Sequence, residues 1–289
     1  MDNPINFLGV RRICFVLSAA LILGGIGSLV AKQGPNLGID FRGGVHIVAK
    51  FSEPVSVAAA NATLEADGVT DAEIVTSSGN ILLIDTVVHE AGIGQKIVGA
   101  LRAGHPLADS EINEVGANVG QDLQVAGILM IVVSLGLILI YVSLRFQWRF
   151  AVGAVVALIH DVLITLGVFS VMNIEINLPT LAAFLTVVGY SINDTIVVFD
   201  RIRENQRLLR GMRFTDLINS SITQMLRRTL LTSLTTLVVV ALIFWQSVAG
   251  ELRTFSLALI FGIVVGTYSS IYIASPVVMM LRPRVTAGD

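Results

Sequence analysis

Six stretches of this sequence are long and apolar enough to cross a membrane, and that constraint shapes everything else. A helix needs about 20 apolar residues to span a ~30 Å hydrocarbon core. Residues 13–31, 123–144, 149–172, 178–199, 229–248 and 254–281 meet that requirement. Inside a bilayer each backbone N–H and C=O must find a partner within the protein, so such stretches are helical. Of the 289 residues 54% are hydrophobic and 14% charged, where a soluble domain carries about 25% charged residues. This composition excludes an ordinary cytosolic enzyme and a disordered chain. A net charge of −2 leaves no broad basic face for nucleic acid. The single cysteine, Cys14, permits neither an intrachain disulfide nor a zinc cluster. The expected fold is an α-helical membrane protein with six transmembrane helices.

Basic residues orient the spans. With a cytoplasmic N-terminus (1–12) and an even span count, the C-terminal tail 282–289 is cytoplasmic too, and 13 of the 19 Lys and Arg residues fall at the inner ends. They include Arg11, Arg12, Arg145, Arg149, Arg282 and Arg284, with others concentrated between Arg201 and Arg228. The positive-inside rule therefore places segment 32–122, with 5 basic and 12 acidic residues, outside. Arg11 and Arg12 followed by a long apolar run, with no small-x-small cleavage site after Val30, predict an uncleaved signal anchor. Segment 200–228 has Phe214, Leu217, Ile218 and Ile222 at helical spacing among arginines. It predicts an interfacial amphipathic helix attracted to anionic lipid.

About 90 residues between the first two spans are enough for a small domain. Strands are predicted at Val45–Phe51, Glu73–Ser77, Ile81–Val87 and Ser110–Val115, and helices at Val55–Ala66 and Glu90–Arg102. Ser78-Gly79-Asn80 is a hairpin signal. The order βαββαβ is that of an α+β, ferredoxin-like split βαβ unit. His46, His89 and His105 are scattered, and there is no metalloprotease, nucleophile-elbow or phosphate-loop motif. The segment predicts a binding or mechanical element rather than an enzyme, with no metal site.

Ionisable residues within spans are the sharpest functional signal. A carboxylate at a helix centre costs ~2.5–3.5 kcal/mol, so it should face a partner, a bundle interior or water. Asp194 lies about two-thirds along the fourth span, with Ser191 and Asn193 beside it. It either locks helices together or carries a proton. Arg228 opens a hydroxyl-rich stretch and shares a helical face with Thr232 and Thr235. It either snorkels to the interface or points inward near the depth of Asp194. His160 and Asp161 occupy the centre of the third span. Because successive helical residues point about 100° apart, the two should not occupy one seam. A hydrogen-bonded packing pair and an accessory to a proton relay both fit. Small residues at Gly262-x-x-x-Gly266, and at Gly24, Gly25 and Gly27, suit close helix approach.

Longer blocks carry a family resemblance. They are G-I-D-F-R-G-G at 38–44, V-G-x-x-V-G at 115–120, the His160-Asp161 pair, and L-P-T-L-A-A-F-L-T-V-V-G-Y-S-I-N-D-T-I-V-V-F-D-R-I-R-E-N at 178–205. With them go R-T-L-L-T-S-L-T-T-L at 228–237 and G-T-Y-S-S-I-Y-I-A-S-P at 266–276. Together they resemble the SecF side of the SecD/SecF family of protein-export membrane proteins, within the resistance-nodulation-division superfamily. The resemblance covers nearly the whole chain and departs from the family only in that SecD is not on it. It implies half of a two-half transporter, with a small periplasmic ferredoxin-like domain, in the bacterial cytoplasmic membrane. Implied partners are SecD, the SecYEG-like channel and the translocating preprotein, and no cofactor is implied beyond a coupling proton or Na⁺. The family's intramembrane aspartate corresponds to Asp194 and its neighbouring arginine to Arg228. Ser191, Asn193, His160, Asp161 and Thr232 are candidate accessory residues. The implied activity is proton-motive-force-driven promotion of preprotein translocation and release. A purely structural assembly subunit is the alternative.

Overall fold

The computed structural model describes residues 4–87, 90, 92–247 and 250–281. His89, Val248, Arg282 and Arg284 lie outside the described residues. After a 3₁₀ turn at Phe7–Val10 comes α1 (Arg11–Ala31), then the short α2 (Ile39–Arg42) and β1 (Gly44–Phe51). Next follow α3 (Val57–Ala66), β2 (Ala72–Ser78), β3 (Ile81–Thr86), α4 (Ile93–Gly104) and β4 (Leu107–Val115). The remaining membrane helices are α5 (Ala117–Arg145), α6 (Trp148–Val171), α7 (Leu178–Leu208), α8 (Phe214–Gln246) and α9 (Glu251–Ser269). A π-helical turn, Ser270–Ala274, joins α9 to α10 (Ser275–Met280). Six helices are long and apolar enough to cross a membrane, the last running from Glu251 through α10.

The sheet has the order β2-β3-β1-β4 with all neighbours antiparallel, so the connectivity is the split βαβ arrangement. Alternation divides its two faces. Val45, Ile47, Ala49 and Phe51 of β1 are buried with Leu82 and Ile84 of β3 against Ile97 and Leu101 of α4. His46, Val48 and Lys50 point to the other, helix-free face. The chain enters β1 through Gly43 and Gly44, with φ of 76° and 140°. A Cβ on Gly44 would stand 2.3 Å from the Thr86 carbonyl oxygen. This gives the paired glycines of G-I-D-F-R-G-G a physical reason, since only glycine adopts such angles without strain.

Helices α6, α7 and α9 form the inner membrane bundle, and α1, α5 and α8 are mostly exposed. α7 and α9 approach closely because Gly262 offers no side chain; a Cβ there would lie 2.1 Å from Val187 Cγ2. The small-residue spacing in the last span therefore has its partner in α7. In α1 only Gly25 is used this way, against Gly167 of α6, while Gly24 and Gly27 have open space. Small residues are the expected material of such seams.

Segment 200–228 differs from its expectation. It is no separate interfacial helix: α7 continues to Leu208, α8 begins at Phe214, and a tight turn joins them. Its apolar stripe packs on protein rather than lipid, with Leu217, Ile218 and Ile222 buried beside Phe150, Phe199 and Ile202. Asn205 Nδ2 donates to Ser221 Oγ at 2.8 Å across the hairpin. The N-terminal segment is also part of this end. Phe7 and Leu8 are buried, and Asn219 Oδ1 accepts from the Leu8 N–H at 3.1 Å.

Candidate functional site

Two carboxylates lie buried at membrane depth, one on α6 and one on α7. The start of α7 is fixed by Asn177, whose side chain accepts from the Thr180 N–H at 3.0 Å, with Pro179 in the first turn. Asp40 Oδ2 also accepts from the Leu178 N–H at 2.8 Å, tying α2 to the same terminus. These caps set the register that carries Ser191 and Asp194 inward.

Asp161 is fully enclosed. Its Oδ2 accepts from Ser191 Oγ of α7 at 2.5 Å and from Ser269 Oγ of α9 at 2.8 Å, while Oδ1 meets His160 Nδ1 at 2.9 Å. The carboxylate thus joins α6, α7 and α9. His160 turns its other nitrogen, Nε2, to Ser18 Oγ of α1 at 2.9 Å. Ser18 Oγ lies 3.1 Å from Tyr268 Oη, which donates to the Cys14 carbonyl at 2.9 Å. His160 and Asp161 do touch, contrary to the expectation from helical angle alone. They reach different neighbours, yet the imidazole folds back onto the next residue's carboxylate.

The π turn belongs to this region. Pro276 has no N–H and crowds the carbonyl four residues earlier, and the widened turn before it absorbs both effects. Ser275 Oγ accordingly donates to the Ser270 carbonyl five residues back at 3.0 Å.

Asp194 is held far more loosely. It is 2% exposed and receives one long hydrogen bond, from Ser233 Oγ of α8 at 3.3 Å. Ser233 Oγ is also 2.7 Å from Thr267 Oγ1 of α9. Arg228 is exposed and lies within electrostatic range of Asp194, but no ion pair of 4.0 Å or less joins them among the described residues. It stands five residues from Ser233, ~7.5 Å along the helix. Two buried hydroxyls on the same two helices, Thr195 Oγ1 of α7 and Thr229 Oγ1 of α8, have no hydrogen-bond partner among the described residues.

Of the candidate accessory residues, Ser191, His160 and Asp161 come together. Thr232 does not join them. It is exposed, and its hydroxyl donates to its own helix, to the Thr229 carbonyl at 2.9 Å. The hydroxyl that meets Asp194 is that of Ser233, the next residue along α8, which is buried on the same side as Thr229. Asn193 is exposed on the opposite side of α7, in line with Thr186 and Gly189. Ser233, Thr267, Ser269, Ser18 and Tyr268 were not singled out from sequence as neighbours of the carboxylates. Hydroxyl periodicity on α8 was visible there, but not which of two adjacent faces points inward.

With this geometry in hand, comparison with known proteins is decisive. A family model described as "Protein export membrane protein SecD/SecF, C-terminal" matches residues 100–284, and "SecD/SecF GG Motif" matches residues 28–55. The chain belongs to the SecD/SecF family. Among similar proteins, the protein translocase subunit SecF of Vibrio alginolyticus is 46% identical over 288 residues, covering 97% of this chain and 90% of that one. The SecF subunit of Rhodothermus marinus is 45% identical, covering 97% and 94%. The crystal structure of SecDF from Thermus thermophilus aligns with TM-score 0.86 and 37% identity, covering 96% of this chain. This chain spans 39% of that SecDF chain. The glycine pair entering β1 lies within the matched motif, and both buried carboxylates lie within the larger match. The family's members are translocase subunits, and its fused SecDF form joins a SecF-like part with a SecD part.

Proposed function

We propose that this chain, with a SecD partner, uses the proton-motive force to promote preprotein translocation and release beside a SecYEG-like channel in the bacterial cytoplasmic membrane. Both termini are cytoplasmic in this reading and the sheet domain is periplasmic. The observation that carries it is the contrast between the two carboxylates. Asp161 accepts two short hydroxyl hydrogen bonds and meets His160, whereas Asp194 has one long bond. A buried carboxylate so weakly held changes protonation without dismantling the bundle.

Asp194 is the proton carrier and Arg228 its charge partner. Arg228 reaches Asp194 when the carboxylate is ionised and turns to the exposed face when it is neutral. Ser191 transmits the change, because it lies three residues from Asp194 and is bonded to Asp161. The exposed polar residues of α7 and α8, namely Thr186, Asn193, Thr232, Thr235 and Arg228, are poorly suited to lipid and fit against the SecD half. The coupling ion in this reading is the proton. A charge crossing the membrane releases ~2.3 kcal/mol per 100 mV, enough for one or two protons to bias a two-state arrangement.

The test is translocation in energised vesicles with Asp194→Asn. The expected result is loss of stimulation by the proton gradient while the variant still co-purifies with SecD. Unchanged stimulation would leave the structural-subunit reading in its place.

A further inference from the structure

The helix-free face of the sheet looks across a cleft of about 310 Å³ onto the ends of the membrane helices. From the sheet come His46 of β1, Glu73 of β2, Leu83 and Asp85 of β3; from the membrane domain come Glu175 of the α6–α7 loop and Glu251 of α9. Asp40 lies at the edge, its carboxylate committed to the start of α7. Glu111 of β4 adds a further negative charge within range of Glu251. Arg42, 3.9 Å from Glu175 and bonded to Asn36, and Lys50, four residues beyond His46 on the same face of β1, are cations on this side. His46 Nδ1 is 2.5 Å from Asp85 Oδ1, both on the sheet. No hydrogen bond or ion pair among the described residues joins His46, Glu73 or Asp85 to Glu175 or Glu251. The two sides therefore face each other as two negative surfaces with one histidine between them.

The connections allow movement. The chain enters the sheet through Gly43 and Gly44 and leaves it through Gly116, while the core of the sheet domain is made only of its own residues. Glycine at both connections supplies the residues that most easily absorb the backbone change of a hinge.

We propose that this cleft is a proton-operated latch: acid on the sheet side closes the sheet domain onto the membrane helices, and alkali releases it. The latch is independent of the Asp194 reading. Asp194 lies 16 residues into α7, ~24 Å along the helix from the cleft.

The sign follows from the groups that face each other. His46 is raised above the ordinary 6.5, first by its bond to Asp85 and further by Glu251 and Glu175, against the opposing effect of burial. The Asp85 bond lies within the sheet and persists when the domain tilts. Docking adds the attraction of Glu251 and Glu175 for the imidazolium. Glu175 is raised above 4.5, chiefly by burial and then by Asp85 and Glu73, with Arg42 opposing. A group whose affinity for protons rises on docking stabilises the docked state below its free pKa and loses that stabilisation as pH rises through its docked pKa. Both groups thus favour closure in acid. The change spans the window from the ordinary carboxylate value of 4.5 to above the ordinary imidazole value of 6.5. Above that window His46 is neutral, and Glu73 and Asp85 repel Glu175 and Glu251.

The test uses the full chain in detergent with Cys14→Ser and spin labels at Ala62→Cys on α3 and Leu242→Cys on α8. Electron–electron distance distributions are recorded from pH 5 to 8.5. The latch predicts a short-distance population at pH 5 and at least a threefold rise of a longer one at pH 8.5. Glu175→Gln with Glu251→Gln should hold the short population at both ends of the range. His46→Gln should move the transition to lower pH, and this single change, at a half-buried position on the rim of the cleft, decides the matter if the double variant does not fold. A distribution that does not change with pH, or a transition that His46→Gln leaves in place, overturns the proposal.

Discussion

Asp161 and Asp194 are both buried but are held very differently. Asp161 meets Ser191, Ser269 and His160, so removing its carboxylate leaves three buried polar groups without their partner. Asp161→Ala should lower stability by about 3 kcal/mol, as breaking a buried charged network does. Ser269→Ala should cost only about 0.6 kcal/mol, the typical worth of one hydrogen bond between membrane helices. Chemical denaturation in detergent micelles checks both. A smaller loss for Asp161→Ala than for Ser269→Ala would remove Asp161 from its anchoring role. Both carboxylates were legible in the sequence, because a charge inside an apolar run stands out. Their difference was not, because it resides in Ser233, Ser269 and Ser191, and hydroxyls are too common in membrane helices to be assigned a partner from spacing. The same limit left open which way Thr232 faces: a helix advances 100° per residue, so a one-residue offset separates an inward hydroxyl from an outward one.

At the scale of elements, the seam between α7 and α9 is set by Gly262 against Val187 and Gly266 against Ser191. A methyl group at Gly262 has nowhere to go unless Val187 yields. Gly262→Ala should destabilise the protein by about 2 kcal/mol, in the range seen for overpacked cores. Val187→Ala should recover most of that loss in the double variant, as measured in a double-mutant cycle on the same micelle preparation. Strands, hairpin and helices of the outer segment were readable because alternation and turn residues are local signals. Boundaries moved by a few residues, and α2 was missed because four residues give no periodicity. The stripe of Leu217, Ile218 and Ile222 was read with the right period and the wrong partner. Amphipathicity shows that a face is buried, but lipid and a neighbouring helix satisfy it equally.

For the whole molecule, six spans and a small domain were foreseen from length and apolar runs. The face that Asn193, Thr232 and Arg228 present outward was not, since exposure of polar residues at membrane depth emerges only once the helices are packed. That outward face explains why a chain of this kind works beside a second half. In the proposed mechanism the pairing of Asp194 with Arg228 then belongs to the assembly, since no ion pair joins them among the described residues of the isolated chain. The central claim is that Asp194 passes protons when the halves are together. Its most direct test is proton flux into liposomes containing this chain and its SecD partner, followed with an enclosed pH-sensitive dye under an imposed potential. The wild-type complex should conduct protons, and Asp194→Asn should reduce the flux to that of empty liposomes with the complex intact. Equal flux in the two would contradict the account.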